Sequence, residues 1–323
     1  MASGWSRRSL LRAGALAPFV GRAFAQTYPN RPIRWVVPYP PGGTTDVLAR
    51  LVAEPLGRRL GQQVYIENRP GAGNNLGTEA VINAEPDGYT ILLVNPANGI
   101  NATLYRRLNF NVVRDLAPVA MITRSPNIME VTPSLPVKNV AEFIAYAKAN
   151  PGKINMASSG IGTSVHMSGE LFKAMTGIDM VHVPYRGAGP ALIDMLSGQA
   201  HVLFDNLPSS VEHVRSGALR ALAVTTTERS PALPDVPTVA DTVPGYEASA
   251  WFGIGAPRRT PPELIDRLNR EVNAVLEEPA LAKRLADLGG APIRITPAAF
   301  GQVIADETEK WRKVVEFSGA KVE

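Results

Sequence analysis

Short apolar runs rich in β-branched residues alternate along the chain with stretches whose apolar positions recur at helical spacing. IRWVVPY, QVYIEN, YTILLVN, LAPVAMIT, NIMEVT, INMASS, MVHVPY, HVLFDN and LRALAVTT read as strands. Most of them end in a Gly- or Asn-rich turn that opens a helix. That alternation predicts α/β layers with mainly parallel sheets. In such sheets ligands bind beyond the carboxyl ends of the strands, which is where the glycine loops fall.

Four of these loops stand out. VVPYPPGGTTDVLARLV, from Val36 to Val52, feeds a strand through a Pro-Pro-Gly-Gly bend into a helical pattern. GAGNNLGTEAVINA follows QVYIENRP, ASSGIGTSVHMSGELFKAM follows GKINM, and RGAGPALIDMLSG follows MVHVPY. The last two open helices whose apolar positions include Leu171, Met175 and Leu192, Leu196. Amides left free at a helix N-terminus, beside glycines that let a ligand approach the main chain, suit a negatively charged group. VPYPPGG (Val37–Gly43) and VPYRGAG (Val183–Gly189) echo one another, as two lobes facing a common cleft would. The proline-rich segment SPALPDVPTVADTVPGYE (Ser230–Glu247) reads as an extended return between lobes. Beyond it come a strand, ASAWFGIGAP, and two packing helices with apolar faces at Leu264, Leu268, Val272, Val275 and at Phe300, Ile304, Trp311, Val315.

Composition changes this picture only at the N-terminus. Arg7, Arg8, Arg12 and Arg22 account for the whole net charge of +4, and no acid lies among the first 25 residues. Those residues read as an export signal, with a basic start, an apolar stretch at Leu10–Val20 and a small-x-small ending at Ala23-Phe24-Ala25, so cleavage after Ala25 is expected. The paired arginines suit either a twin-arginine or a general secretory route. The neutral remainder has no electrostatic footprint for nucleic acid. The absence of cysteine removes thiol catalysis and cysteine metal sites. His166, His182, His201 and His213 show no i, i+4 pairing for a metal, and neither a P-loop nor a dinucleotide fingerprint is present. Neither a metal nor a cofactor is expected.

The motifs YPNRPIRWVVPYPPGGTTD, VYIENRPGAGNNLGTEAV, PDGYTILLV, KINMASSGIGTSVHMSGELFKAMTG, HVPYRGAGPALIDMLSGQAHVLFDNLPS and LPDVPTVADTVPGYE occur in this order over essentially the whole mature chain. Together they resemble the Bug or TctC family, extracytoplasmic solute receptors of tripartite tricarboxylate transporters. The resemblance implies a periplasmic-binding-protein type II-like α/β fold. Lobe 1 would hold residues 26–125 plus 246–323, and lobe 2 residues 126–245. It further implies a monomeric periplasmic receptor that captures a small carboxylate solute, delivers it to a two-subunit membrane permease and has no catalytic residue. A receptor feeding a sensor protein is the alternative. A serine hydrolase built from Ser158 or Ser159, His166 and Asp205 is disfavoured, because no G-x-S-x-G elbow occurs.

The family's ligand loops fall on Tyr39–Asp46 and Ser158–His166, which makes Tyr39, Pro41, Gly42, Gly43, Thr44, Ser158, Ser159, Gly160, Gly162 and Thr163 candidate contacts. Tyr185, Gly187, Gly189 and Asp205 match further cleft positions. A side chain at Gly43 or Gly162 is expected to occupy the space where carboxylate meets backbone. Ser158, Ser159 and Thr163 also suit helix caps, Asp46 a first-turn acid that complements the helix dipole, and His166 a packed histidine. Asp205 either selects ligands bearing a donor or caps the helix that follows it. Trp251 and Phe252 either wall the cleft or fill the hinge core. The family's usual histidine after the YTLL-type strand is replaced by Asn98 in NPANGINATLY.

Overall fold

The computed structural model describes Met1 and residues 28–322, so the expected export signal beyond Met1 and its expected cleavage site lie outside the described residues. The first lobe forms as its apolar runs dictate. β1 (Ile33–Val37) carries four fully buried side chains out of five and lies between β2 (Val64–Asn68) and β3 (Thr90–Val94), both parallel to it. Such continuous burial is what a central parallel strand requires. α1 (Thr44–Leu60) starts at the Pro-Pro-Gly-Gly bend, where Gly42 takes a φ of +91°, and stops at Gly61 in the left-handed conformation. α2 (Asn75–Ile82) and α3 (Pro96–Leu104) follow β2 and β3, and a single turn, α4 (Val112–Asp115), precedes the crossing.

β4 (Leu116–Val131) is that crossing. Sequence reading divides it into LAPVAMIT and NIMEVT, because Arg124-Ser125-Pro126 resembles a break, but it is one strand of 16 residues. Its second half enters a further layer formed with α5 (Val140–Ala149), β5 (Asn155–Ser158), α6 (Ser164–Thr176), β6 (Val181–Pro184), α7 (Ala188–Ser197), β7 (Val202–Asn206), α8 (Leu207–Arg215) and β8 (Arg220–Val224). β6, β5 and β7 are parallel, while β7 and β8 run antiparallel to β4. The chain returns through β9 (Ser249–Pro257), antiparallel to both β4 and β3. α9 (Pro262–Leu276), α10 (Pro279–Asp287), the short β10 (Ala291–Pro292) and α11 (Pro297–Ser318) complete it. The strand order β2-β1-β3-β9-β4-β7-β5-β6 therefore places parallel triads at either end and antiparallel strands at the centre. The passages between lobes are bonded to each other: Thr225 N donates to Asn127 O at 2.9 Å and Ala248 N to Thr225 O at 3.0 Å.

Each lobe has its own core. Trp35, Leu56, Ile254 and Val272 belong to the first, and Phe143, Phe172, Phe204 and Tyr246 to the second. The last helix serves more than one of these layers. Phe300 and Ile304 of α11 pack beside Val36, Leu92 and Trp251, whereas Trp311 and Val315, two turns and more further on, join the second core. A division that gives all of 246–323 to lobe 1 leaves out that attachment.

Candidate functional site

Five helices begin at one chamber. Gly43, Asn95, Thr163, Gly187 and Asn206 are the N-cap residues of α1, α3, α6, α7 and α8, and all five line a cavity of about 30 Å³. The cause is local and repeated: each strand ends in a turn of Gly, Asn, Pro or Thr that directs the chain straight into a helix. The first amides of a helix have no intrahelical partner. No side chain caps α1, α7 or α8, so first-turn amides remain for a ligand there, apart from Pro190 in α7 and Pro208 in α8, which carry none. The helix dipoles add positive potential where the lining has no Arg, Lys or His, nor any Asp or Glu. A space of this size admits roughly two waters, or the two oxygens of one carboxylate.

A second signal points into the cavity. Asn95, 3% exposed, accepts from Ala97 N at 2.9 Å through Oδ1, while its Nδ2 makes no well-formed hydrogen bond and has only the Tyr39 hydroxyl beside it. A buried donor left unmade is costly, so this amide marks a position for an acceptor. Tyr39 stands between this chamber and an outer one of about 480 Å³ lined by Pro70, Ala72, Tyr105, Ile161, Tyr185 and Arg186 among others. Burial pushes the Tyr39 phenol up, so it stays protonated. Asn74 of the outer chamber also has an Nδ2 without a well-formed hydrogen bond, again with the Tyr39 hydroxyl beside it. The lobes meet around these chambers. Thr44 Oγ1 lies 3.0 Å from Ser209 Oγ, and a Cβ added to Gly73 would stand 2.8 Å from Ile161 O.

Of the residues singled out from sequence, Tyr39, Gly43, Thr44, Ser159, Thr163 and Gly187 line the inner chamber. Gly160 and Tyr185 line the outer one. Pro41, Gly42, Ser158, Gly162, Gly189 and Asp205 line neither. Gly42 N donates to Asp46 Oδ2 at 3.1 Å and shapes the bend. Burial would raise the Asp46 carboxyl, but Arg50, Asn68 and the Gly42 amide hold it below its usual range. Ser158 Oγ sits 2.7 Å from His182 Nε2, and the His182 ring stacks on His166 with centroids 4.0 Å apart. His166 Nδ1 accepts from Gly162 N at 3.3 Å, and burial lowers its pKa to about 3, as a packed neutral histidine requires. The paper triad of serine, His166 and Asp205 is not assembled, because Asp205 contacts Ser209 and Ser210 instead.

Gly162 faces the packing of the fold and not the ligand space expected for it. At φ +80° its added Cβ would meet Asn101 Oδ1 at 2.1 Å, inside the packing against α3 and away from the chambers. Asp205 also differs from both expectations. It is 1% exposed, lies beneath the cleft, and leaves the cap position of α8 to Asn206. Phe252 lines the inner chamber, while Trp251 stacks edge-on to Phe300 at 5.8 Å in the core. Asn98 completes the cap of α3 by accepting from Asn95 N at 2.9 Å. Besides lining residues such as Asn74 and Tyr105 of the outer chamber, sequence reading missed Asn95, Pro96 and Asn206 of the inner one. The signal of these three was Asn-Pro in VNPAN and Asn-Leu-Pro in DNLPS, a cap followed by a first-turn proline at a strand end. Among the described residues no group of three His, Asp or Glu side chains could hold a metal, and no helix is long and apolar enough to cross a membrane.

A family model described as tripartite tricarboxylate transporter family receptor matches residues 48–319. Protein BugT of Bordetella pertussis is 40% identical over 313 residues, covering 96% of this chain and 95% of that protein. Among solved structures, the R. palustris protein Rpa4515 with adipate is 40% identical with a TM-score of 0.88, over 90% of this chain and 98% of that one. MatC from Rhodopseudomonas palustris, with bound malate, is 33% identical with a TM-score of 0.86, over 89% and 100% of the two chains. The periplasmic binding protein BugD is 32% identical with a TM-score of 0.88 over 92% and 100%.

Proposed function

Because the chain belongs to the TctC family of tripartite tricarboxylate transporter receptors, we propose that it captures a small carboxylate between its lobes and delivers it to a two-subunit membrane permease. The observation that carries this reading is the convergence of five helix N-termini, with the Asn95 amide, on a chamber that has no charged side chain. One carboxylate bound there would replace water at amides already aimed at it. Several such charge-assisted hydrogen bonds, each about 1.5–3 kcal/mol, reach the roughly 8 kcal/mol of micromolar affinity after ordering costs. The outer chamber takes the remainder of the molecule. Adipate and malate, bound by the related structures, are of a size that suits this division.

Binding is a two-state clamp in this reading. Solute bridges amides of the lobe formed by 26–125 with 246–323 and of the lobe formed by 126–245, which shifts the population toward a closed form that the permease recognises. The protein acts as a monomer in the periplasm after cleavage behind Ala25. Thermal unfolding of the mature chain against a library of mono-, di- and tricarboxylates tests the proposal. An acid at about 100 times its Kd stabilises by about 2.7 kcal/mol, and a library with no stabilising acid would refute carboxylate capture.

A further inference from the structure

We infer that Ser209 is a specificity-determining residue of the cleft, acting through Thr44 to favour carboxylates that carry a hydroxyl or amino donor on the carbon beside the bound carboxylate. This inference rests on the carboxylate reading of the chamber. Ser209 lies in the first turn of α8 and does not line the inner chamber, whereas Thr44, the first residue of α1, does. A hydroxyl has one proton to give. Ser209 Oγ stands 2.5 Å from Asp205 Oδ2 and 2.9 Å from Asn206 O, and both of these accept. Its proton is therefore committed within its own lobe. The contact with Thr44 Oγ1 at 3.0 Å then has one consistent direction: Thr44 donates and Ser209 accepts.

The groups behind Ser209 hold this direction. Ser210 Oγ is 2.6 Å from Glu130 Oε1 and 3.0 Å from Asp205 Oδ2, and its single proton cannot serve both. A proton on Glu130 resolves the pair, in keeping with full burial and the neighbouring Asp205 charge, which push the Glu130 carboxyl well above its usual range. Burial raises the Asp205 carboxyl too, against the hydrogen bonds from Ser209 and Ser210 that favour its charged form, and while charged it is the acceptor. Even a proton on Asp205 would leave the Asn206 carbonyl to take the Ser209 proton.

The consequence reaches the solute. Amides at the helix starts offer donors, but the Thr44 hydroxyl has given its proton away and presents lone pairs alone. A carboxylate oxygen set against it meets another acceptor. In a chamber of about 30 Å³ any ligand atom that reaches Thr44 Oγ1 is within a bond or two of the carboxylate, so a donor on the adjacent carbon is the group that satisfies it.

Calorimetric titration with matched acids tests this: succinate and malate, glutarate and 2-hydroxyglutarate, adipate and 2-hydroxyadipate. For the pair that binds, the hydroxy acid should bind wild type about tenfold more tightly, the scale of one hydrogen bond. Ser209→Ala releases the Thr44 proton toward the site, so the ratio should fall to about one, with the donor-free acid gaining. Ser209→Thr keeps the relay and the ratio. A merely structural role would weaken both members of a pair equally and leave the ratio unmoved. A wild-type preference for the donor-free acid, or a ratio unchanged in Ser209→Ala, overturns the inference while leaving carboxylate capture intact. If none of the six acids binds, the acid that most stabilises the protein in the thermal screen and its 2-hydroxy analogue form the pair on which the same ratio is read.

Discussion

Gly43→Val should weaken solute binding without weakening the fold. The Gly43 backbone is extended, at φ −87° and ψ 171°, so any residue can adopt it. Its added Cβ would point across the cleft, 3.6 Å from Ala188 Cβ and 3.9 Å from Ala188 N. Alanine therefore fits at ordinary contact distance. Valine projects two methyl carbons about 1.5 Å further, well inside the 3.5–4.0 Å at which carbons attract. In the closed form the lobes must part or the α7 start must shift, and overpacking of this kind costs about 1–3 kcal/mol. That corresponds to a loss of about 5–150-fold in affinity. An open cleft relieves the contact, so the unliganded protein should melt as the Gly43→Ala control does, both having exchanged the same glycine cap. Titration calorimetry with the most stabilising acid, beside thermal unfolding without it, separates the two effects. Wild-type affinity in Gly43→Val would refute the placement of Gly43 at the closing surface, and an equal loss of unliganded stability would refute the freedom of the lobes to part.

One further prediction concerns the chamber wall and another the histidine pair packed behind the loop before α6. Asn95→Asp keeps the oxygen that caps α3 but replaces the amide with an anion. Solute binding should fall by more than about 100-fold while the melting temperature of the unliganded protein holds or rises, and retained binding in a fluorescence melting series would sink the chamber's assignment. The stacked histidines set a pH dependence. Burial lowers His166 to about 3 and His182 to about 4 from 6.5. Below about pH 6.5 the unfolded chain takes up protons that the folded one refuses, so each contributes stability that is lost as pH falls toward 4, at up to about 1.36 kcal/mol per pH unit. Glu130, whose carboxyl is raised, acts in the opposite sense. Urea unfolding of wild type beside His166→Gln isolates the histidine, and identical slopes between pH 7 and 4.5 would contradict it.

Much of this architecture is legible in the chain because glycine, proline and asparagine mark where strands end. The bend at Pro40–Gly43 and the loop before α6 were readable from residue type alone, since few other residues allow so abrupt a passage from strand to helix. β4 was not, because Pro126 lies in the crossing between two sheets, where the bonding partner changes and a missing amide is tolerated. The site was legible as loops and not as side chains. Gly162 and Ser158 sit in the right loop but face its supports, Gly162 toward Asn101 of α3 at a positive φ and Ser158 toward His182 of β6, partners that are distant in sequence. Asp205 reaches neither chamber, because Ser209 and Ser210 engage its carboxyl beneath the cleft, an arrangement that residue type alone does not reveal.

The five converging helix starts also bear on how such a receptor diversifies. An amide is supplied by every residue except proline, so the grip on a carboxylate does not depend on side-chain identity at most of the positions that provide it. Point substitutions can then alter what surrounds the rest of the solute, in the outer chamber at Ala72, Tyr105, Ile161 or Arg186, without first dismantling the anchor. Innovation and retention are assigned to different atoms. A lineage built on this plan can exchange one cargo for another in single steps, each intermediate still holding an acid.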